Sequence, residues 1–200
     1  MNILITGFTP FGEVERNPSQ LIVECLAERQ PDLRTLVLPT EYHAAAEKLR
    51  AALRDWQPDA VVSLGVAQSR SAITLERIAI NVDDASIPDN GGVLKTGDLI
   101  EPEGAIAYWS TLPLQPMLSA LQTRGIPAAI SNHAGTYVCN HVFYTVRHYV
   151  EQHGLNIPCG FIHVPGLLKV DGETTTGMPL EQMVEAVEIC LAVLRGDLRG

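Results

Sequence analysis

The chain has 200 residues, of which 46% are hydrophobic and 18% are charged, which is enough sequence for one well-buried domain and marginal for two. We therefore expect a single domain over residues 1–200. The 14 basic and 23 acidic residues give a net charge of -9 without a basic cluster, so a nucleic-acid groove and an anionic membrane surface are both disfavoured as partners. The expected partner is a small molecule or a peptide.

The four cysteines form no Cys-X-X-Cys pair and lack the close spacing of a disulfide-stabilised secreted module. Residues 1–7 lack the basic segment of a signal peptide and reach a glycine too early for one. No apolar run approaches the roughly 20 residues that span a bilayer. These features favour a reducing, cytoplasmic environment.

Strand-like and helix-like segments alternate along the chain, and this pattern predicts a layered α/β domain. Asn17 and Pro18 are typical of a helix start, as the N-cap and the first helical residue. Strands are expected at 2–6, 35–38, 60–64, 73–82 with an interruption, 128–131 and 160–164. Helices are expected from residue 18 and at 44–56, 114–123, 139–153 and 180–194. The segment 83–103 has little periodicity and a turn at 87–92, as a functional loop or an interface segment often has.

Short strands separated by helices predict a three-layer α/β/α fold, in which a mainly parallel twisted sheet carries helices on both faces. Ligands of such sheets collect at the carboxyl ends of the strands. Three places meet this condition: the loop 7–12, the turn before Cys139, and the end of the strand that contains His163. We expect a binding site where they meet.

Cys139 lies where small and turn-forming residues give way to an apolar stretch with helical spacing. Unpaired N–H groups and the helix dipole favour the thiolate at such a helix N-terminus, and the thiolate is the reactive form of cysteine. Free cysteines are more often core residues, and Cys25, Cys159 and Cys190, inside apolar patterns, are interpreted in that way. Only Cys139 has the polar setting of a candidate nucleophile.

A cysteine nucleophile needs a base, because a helix terminus contributes only about 0.3 to 1 kcal/mol, less than one pKa unit. His163 is the leading candidate because its strand ends at the same rim of the sheet, with a core histidine as the alternative. His133 is a second candidate, whereas His141 lies about 200° around the helix from Cys139 and should point away. The other histidines are predicted to lie on the surface: His43, His148 and His153.

An imidazole base needs a third group that fixes its tautomer and stabilises its charge. Glu76 interrupts an apolar strand and is the candidate for this role. A surface glutamate on an edge strand explains the same pattern equally well.

Six sequence blocks follow one another in a recognisable order between Gly7 and Pro165: GFTPFG with NPS, ERIAIN, IPDN, AYW, AGTYVCNH and GFIHVP. In these blocks the chain resembles the pyroglutamyl peptidase I family, also called pyrrolidone carboxyl peptidases. No single block is specific, but their combination and order are.

The resemblance implies an intracellular cysteine peptidase that removes an N-terminal pyroglutamate from peptides through an acyl-enzyme, with no metal and no organic cofactor. Carried over by position, the nucleophile is Cys139, the general base His163 and the orienting acid Glu76. The substrate-binding residues implied in the same way are Phe8, Phe11, Asn17, Tyr137 and Val138. A homotetramer is also implied, with the segment 83–103 as a candidate interface.

Three positions differ from the residues that bacterial relatives commonly have: Tyr137 replaces phenylalanine, Val66 replaces glutamine and Ser86 replaces arginine. Gln68 or Arg70 are candidates to replace the lost polar groups. A catalytically altered binding protein is therefore one alternative to an active peptidase.

Two alternatives come from other classes of protein. Cys139 and three histidines, His133, His141 and His163, suggest a zinc-dependent hydrolase, but their spacing lacks the tight pairs of strong zinc sites. The loop 7–12 superficially suggests a nucleotide-binding loop, but Glu13 and Val14 stand where Lys and Ser or Thr are required. Both alternatives are disfavoured.

Overall fold

A computed structural model describes residues 1–12, 15–171 and 174–198, so Glu13 and Val14 lie outside the described residues. The strands are β1 (Ile3–Phe8), β2 (Arg34–Leu38), β3 (Ala60–Val66), β4 (Ile73–Glu76), β5 (Ile78–Ile80), β6 (Asp83–Asp84), β7 (Thr96–Asp98), β8 (Ala107–Trp109), β9 (Ala128–Ser131), β10 (Cys159–Val164), β11 (Lys169–Asp171) and β12 (Thr174–Thr176). The helices are α1 (Pro18–Arg29), α2 (Tyr42–Trp56), α3 (Leu114–Thr123), α4 (Val138–Gln152) and α5 (Leu180–Arg195). None of the helices in the described ranges is long and apolar enough to cross a membrane.

Six strands form the central sheet in the order β2-β1-β3-β10-β4-β9. Neighbouring strands are parallel except β10 and β4, which run antiparallel. Helices α1, α3 and α5 pack on one face of the sheet, and α2 and α4 pack on the other. The predicted three-layer α/β/α fold with a mainly parallel sheet is therefore confirmed.

Successive side chains along a strand point to opposite faces of the sheet, so a residue's position in its strand determines the face on which it lies. In β10, Ile162 packs beneath α1, α3 and α5, whereas Phe161 packs beneath α2 and α4. His163 is two residues from Phe161 and shares its face. In β4, Leu75 belongs to the first core, so Glu76 faces the second. Both predicted partners of Cys139 therefore lie on the face that α4 covers.

The predicted elements match the observed ones closely. Helix α3 and strand β9 have the predicted bounds, and the others differ by one or two residues at their ends. Asn17 is the N-cap of α1, and its Oδ1 accepts a hydrogen bond from the N–H of Ser19 at 3.1 Å. The interruption expected in 73–82 falls at Arg77, where the chain leaves the central sheet and β5 pairs with β8. The short strands from β6 to β8 and the β11–β12 hairpin carry no such pattern in the sequence.

The segment 83–103 forms a short antiparallel pair of β6 and β7 joined by a long turn. Asn140 on α4 anchors the chain that leads into it, because its Oδ1 accepts from the N–H of Ile80 at 3.0 Å and its Nδ2 donates to the carbonyls of Ile80 and Val82. The segment and the stretch that follows expose several apolar side chains: Leu94, Leu99, Ile106 and Trp109. This part of the molecule is thus fixed at its base and apolar at its outer surface.

Two of the surface interpretations are wrong. Strand β4 lies between β10 and β9 in the interior of the sheet, and Glu76 is fully buried rather than exposed on an edge strand. His148 is buried as well, because α4 is covered along most of its length, and its Nδ1 lies 2.9 Å from the hydroxyl of Tyr108. His43 and His153 are exposed, as predicted.

Candidate active site

A hydrogen-bonded pair of buried side chains lies beneath the start of α4. The Nδ1 atom of His163 is 2.7 Å from Oε1 of Glu76, and both side chains are almost completely enclosed. Because an ionised carboxylate can only accept, Nδ1 of His163 carries the proton and Nε2 of the neutral ring is left free to act as a base. The orientation that a catalytic imidazole needs is therefore present.

Cys139 is the second residue of α4, and its thiol lies over the end of β3. Gly65 on β3 is the register partner of His163 on β10. A Cβ atom added to Gly65 would lie 2.7 Å from Sγ of Cys139, so the thiol occupies the space that a side chain at position 65 would fill. Cys139 and His163 also line the same cavity, so the thiol and the imidazole lie at the same edge of the sheet. Gly65 was not predicted as a site residue, and its only signal in the sequence is a glycine late in an apolar strand.

Arg70 closes the other side of the buried carboxylate. Its Nη1 donates to Oε1 of Glu76 at 2.5 Å, the same oxygen that accepts from His163, and its Nη2 reaches Oγ of Ser131 at 3.5 Å. Two cationic or donating groups thus converge on one carboxylate oxygen, which favours the ionised form of Glu76.

Burial and charge set the protonation of the three groups. Burial raises the pKa of the Cys139 thiol, and the nearby charge of Glu76 raises it further. Burial lowers the pKa of His163 by more than its contact with Glu76 raises it. Burial alone would raise the pKa of Glu76, but its contact with His163 and the hydrogen bond from Arg70 bring it below its usual value. The free site therefore holds a neutral thiol, a neutral imidazole and an ionised carboxylate.

This protonation state corrects one expectation from the sequence. A helix N-terminus favours thiolate by only about 0.3 to 1 kcal/mol, and burial of the Cys139 thiol outweighs that effect. The raised pKa therefore favours the protonated form of the Cys139 thiol in the free site.

A slot with a volume of about 280 Å³ opens next to Cys139 and His163. Its walls include all five residues that the sequence assigned to substrate binding: Phe8, Phe11, Asn17, Tyr137 and Val138. The rings of Phe11 and Tyr137 are tilted toward each other with centroids 6.1 Å apart, and Phe8 packs on Phe161 with centroids 6.4 Å apart. The slot thus has three aromatic rings among its walls and is sized for a single residue.

Asn17 lines this slot, but its amide group makes hydrogen bonds to the preceding loop and to the start of α1. Its Oδ1 accepts from Ser19, and its Nδ2 donates to the carbonyl of Thr9 at 3.1 Å. The amide therefore fixes the conformation of the loop that carries Phe8 and Phe11.

The turn at 87–92 holds both aromatic walls in position. The hydroxyl of Tyr137 donates to the carbonyl of Pro88 at 3.0 Å, and Nδ2 of Asn90 donates to the carbonyl of Pro10 at 2.8 Å. Between them, the buried Asp89 accepts from the N–H of Tyr42 at 2.9 Å. The sequence indicated an unusual hydroxyl at Tyr137 but gave no signal for its partner.

The other two residues that differ from the common family pattern, Val66 and Ser86, lie in different places relative to the slot. Val66 lines the slot, so a larger polar residue there would face the bound ligand. Ser86 is exposed and lies outside the walls of the slot. Of the two suggested replacements, Arg70 lines the slot and Gln68 lies in a neighbouring groove.

The remaining histidines near Cys139 have other partners. His141 points away from the thiol, as predicted, and its Nδ1 lies 2.7 Å from Oδ2 of Asp83. His133 is on the rim of the slot, where its Nδ1 accepts from the N–H of Gly135 at 3.1 Å. Within the described parts of the chain, no group of three or more His, Cys, Asp or Glu side chains is arranged to hold a metal ion.

Comparisons with known proteins agree with this arrangement. The family model described as pyroglutamyl peptidase (Peptidase C15) matches residues 1–196. A pyrrolidone-carboxylate peptidase of Thermoanaerobacter sp. is 42% identical over 198 residues, which cover 97% of this chain and 98% of the relative. A pyrrolidone-carboxylate peptidase of Aliivibrio fischeri is 44% identical over 201 residues, which cover 98% and 93%.

Solved structures show the same likeness over the whole fold. Pyroglutamyl peptidase I of Bacillus amyloliquefaciens superposes with a TM-score of 0.89 at 35% sequence identity, covering 98% of this chain and 97% of that one. A mutant pyrrolidone carboxyl peptidase from Pyrococcus furiosus superposes with a TM-score of 0.91 at 39% identity, covering 99% and 100%.

Proposed function

The chain belongs to the pyroglutamyl peptidase family of cysteine peptidases, and we propose that it cleaves the bond after an N-terminal pyroglutamyl residue with Cys139 as nucleophile, His163 as general base and Glu76 as orienting acid. The observation that carries this proposal is the buried His163–Glu76 pair, 2.7 Å apart, beside a thiol that opens into a slot for one residue.

The reaction starts from the neutral thiol. As Sγ of Cys139 attacks the pyroglutamyl carbonyl carbon, its proton moves to Nε2 of His163 and the carbonyl electrons move to the oxygen. The imidazolium that forms is stabilised by the ionised Glu76. N–H groups in the first turn of α4, which have no partner within the helix, are suited to hold the oxyanion.

The tetrahedral intermediate then collapses. His163 gives its proton to the leaving amine, the C–N bond breaks, and a pyroglutamyl thioester stays on Cys139. Water loses a proton to His163 and attacks the thioester carbonyl, after which the C–S bond breaks and the thiol regains its proton. The products are free pyroglutamate and the shortened peptide.

The slot suits the chemistry of the pyroglutamyl ring. This lactam is uncharged and has an apolar body with one N–H and one ring carbonyl, so aromatic walls and a few polar groups suffice to bind it. Phe8, Phe11, Tyr137 and Val138 supply apolar walls next to the thiol. A free N-terminal glutamate, with two additional charges, would be costly to bury there.

The direct test is the release of a fluorescent amine from a pyroglutamyl amide. We expect the wild-type protein to release it and a Cys139→Ser variant to lose about 10⁴-fold or more in kcat, with a melting temperature close to wild type. Undiminished turnover by a Cys139→Ala variant would contradict the assignment. Absence of turnover by the wild-type protein would instead favour the catalytically altered binding protein suggested by Val66 and Ser86.

We also propose that residues 1–200 act as a single domain and that the protein is a cytoplasmic homo-oligomer, a tetramer by family resemblance. The four exposed apolar side chains of the stretch 94–109 support an interface, since Ile106 is 89% and Trp109 is 63% exposed in the isolated chain. The four free cysteines support a reducing compartment. Light scattering of an Ile106→Asp variant tests the interface, and an unchanged molar mass would count against it.

A further inference from the structure

A second cavity, which we term the groove, adjoins the slot. It has a volume of about 1020 Å³, against about 280 Å³ for the slot, and Phe11 and Val66 line both. The two spaces therefore adjoin at these side chains, and the larger one has room for several residues.

The walls of the groove combine apolar and cationic groups. Ile87 and Leu168 contribute exposed apolar side chains, and Arg16 and Lys169 contribute exposed cations. Of the lining residues that the structure describes, Glu15 is the acidic one. Across the ranges that the structure describes, neither cation takes part in an ion pair. Among the described residues, the lining of the groove thus carries two cations and one acidic residue, in a chain of net charge -9.

The substrate chemistry matches this charge. A peptide that begins with pyroglutamate has no terminal ammonium group, so the one charge that its backbone always carries is the carboxylate at its other end. With the ring in the slot, the leaving chain must extend away from Cys139 and gains about 3.3 to 3.6 Å of reach with each residue. Three such residues span about 10 Å. A terminal carboxylate that comes within about 8 Å of an exposed cation is attracted to it at physiological salt.

We propose that the groove binds the leaving chain of the substrate, and that the enzyme favours short pyroglutamyl peptides with apolar side chains and a free terminal carboxylate. This inference rests on the proposed function. Leu168 and Ile87 contact the apolar side chains, while Arg16 and Lys169 attract the carboxylate. None of the four lines the slot itself.

The test compares three substrates on one enzyme: a pyroglutamyl coumarin amide, which has no leaving chain, a pyroglutamyl tetrapeptide with two leucines and a free carboxylate, and the same peptide with a terminal amide. The quantity measured is kcat/KM of each peptide divided by that of the coumarin amide. We expect Lys169→Glu and Arg16→Glu each to lower this ratio about 3- to 10-fold for the free acid and less for the peptide amide. Arg34→Glu, an equal charge reversal on the exposed start of β2, is the matched control.

A second arm tests the apolar wall. Leu168→Ser should lower the ratio for both leucine peptides about 3- to 10-fold, whereas Leu155→Ser should not. The two leucines are matched in exposure, at 42% and 43%, and Leu155 lies outside both cavities. Equal ratios for all variants, or an equal loss in the controls, would overturn the inference even when the coumarin amide is cleaved. Failure of the wild-type protein to cleave the coumarin amide would instead overturn the proposed function.

Discussion

Two buried histidine–carboxylate pairs lie at α4, one beneath its start and one that includes a residue of the helix, and their N-to-O distances are equal. Nδ1 of His163 is 2.7 Å from Glu76, and Nδ1 of His141 is 2.7 Å from Asp83. The first pair lies beside a thiol and a slot, whereas His141 packs against the ring of Tyr42 with centroids 5.4 Å apart. The carboxylate of the second pair begins the segment 83–103, so this pair joins that segment to the helix. A histidine–carboxylate contact therefore does not identify a catalytic pair without a nucleophile and space for a substrate.

Replacing the two histidines gives the largest expected contrast. His163→Gln should lower kcat about 10⁴-fold, because the ring that accepts the thiol proton is lost. His141→Gln should change kcat by less than about 10-fold and lower the free energy of unfolding by about 1 to 3 kcal/mol, because a buried polar partner is lost. Turnover of the pyroglutamyl amide and urea denaturation measure the two effects. Equal losses of kcat in the His163→Gln and His141→Gln variants would contradict the assignment of only the first pair to catalysis.

Neutralising the two carboxylates should give a smaller contrast of the same kind. Glu76→Gln should lower kcat about 10²- to 10⁴-fold, because an amide can donate to Nδ1 and hold the wrong tautomer of His163. Asp83→Asn should act mainly on stability. Kinetics and thermal melts of both variants, side by side, provide the measurement, and a Glu76→Gln enzyme with wild-type kcat would remove Glu76 from the proposed mechanism.

Displacing the thiol tests the feature that distinguishes the His163–Glu76 pair from the His141–Asp83 pair. A Cβ atom at position 65 would lie 2.7 Å from Sγ of Cys139 and 2.8 Å from Cζ of Phe161, so Gly65→Ala forces one of them to move. We expect a loss of about 10- to 10²-fold in kcat, as for a nucleophile misplaced by about 1 Å. A melting curve separates this effect from unfolding. A Gly65→Ala variant with full kcat would show that the thiol need not approach β3 so closely.

The pH dependence provides the smallest expected effect. His163 must be unprotonated to accept the thiol proton, and its pKa is lowered by burial and by the charge of Arg70, while Glu76 acts in the opposite direction. The acid limb of kcat/KM should therefore lie below the value of about 6.5 that is usual for histidine. Arg70→Met removes one lowering charge, so the limb should move to higher pH by less than about one unit. A limb that moves to lower pH in this variant would contradict the stated sign.

The sequence was sufficient for the main helices and strands and for the three layers, but not for the short strands or for the strand order of the sheet. Periodicity and capping residues predicted the positions of the helix ends to within one or two residues, because these signals come from neighbouring residues in the sequence. Glu76 could not be separated from a surface glutamate, because only the strand order places β4 between β10 and β9. The burial of His148 depends on Tyr108, which lies on a strand with no pattern of its own.

The candidate site shows the same division. The position of Cys139 at a helix start and of His163 at a strand end could be inferred from neighbouring residues, and both lie at the slot. Three contacts of the site join residues that are far apart in the chain: Gly65 with Cys139, Glu76 with His163, and the turn at 87–92 with the aromatic walls. Such contacts leave no local pattern, so resemblance to a family guided the substrate-binding residues instead.

The neutral thiol of Cys139 has a consequence for the life of the protein in a cell. Peroxides and alkylating agents attack thiolates, and a cysteine that keeps its proton at rest reacts with them slowly. The raised pKa of Cys139 should therefore protect the free protein from oxidative inactivation. In the proposed mechanism, the thiol loses its proton to His163 only when a carbonyl group is held next to Sγ, so the resting enzyme should distinguish substrates from oxidants.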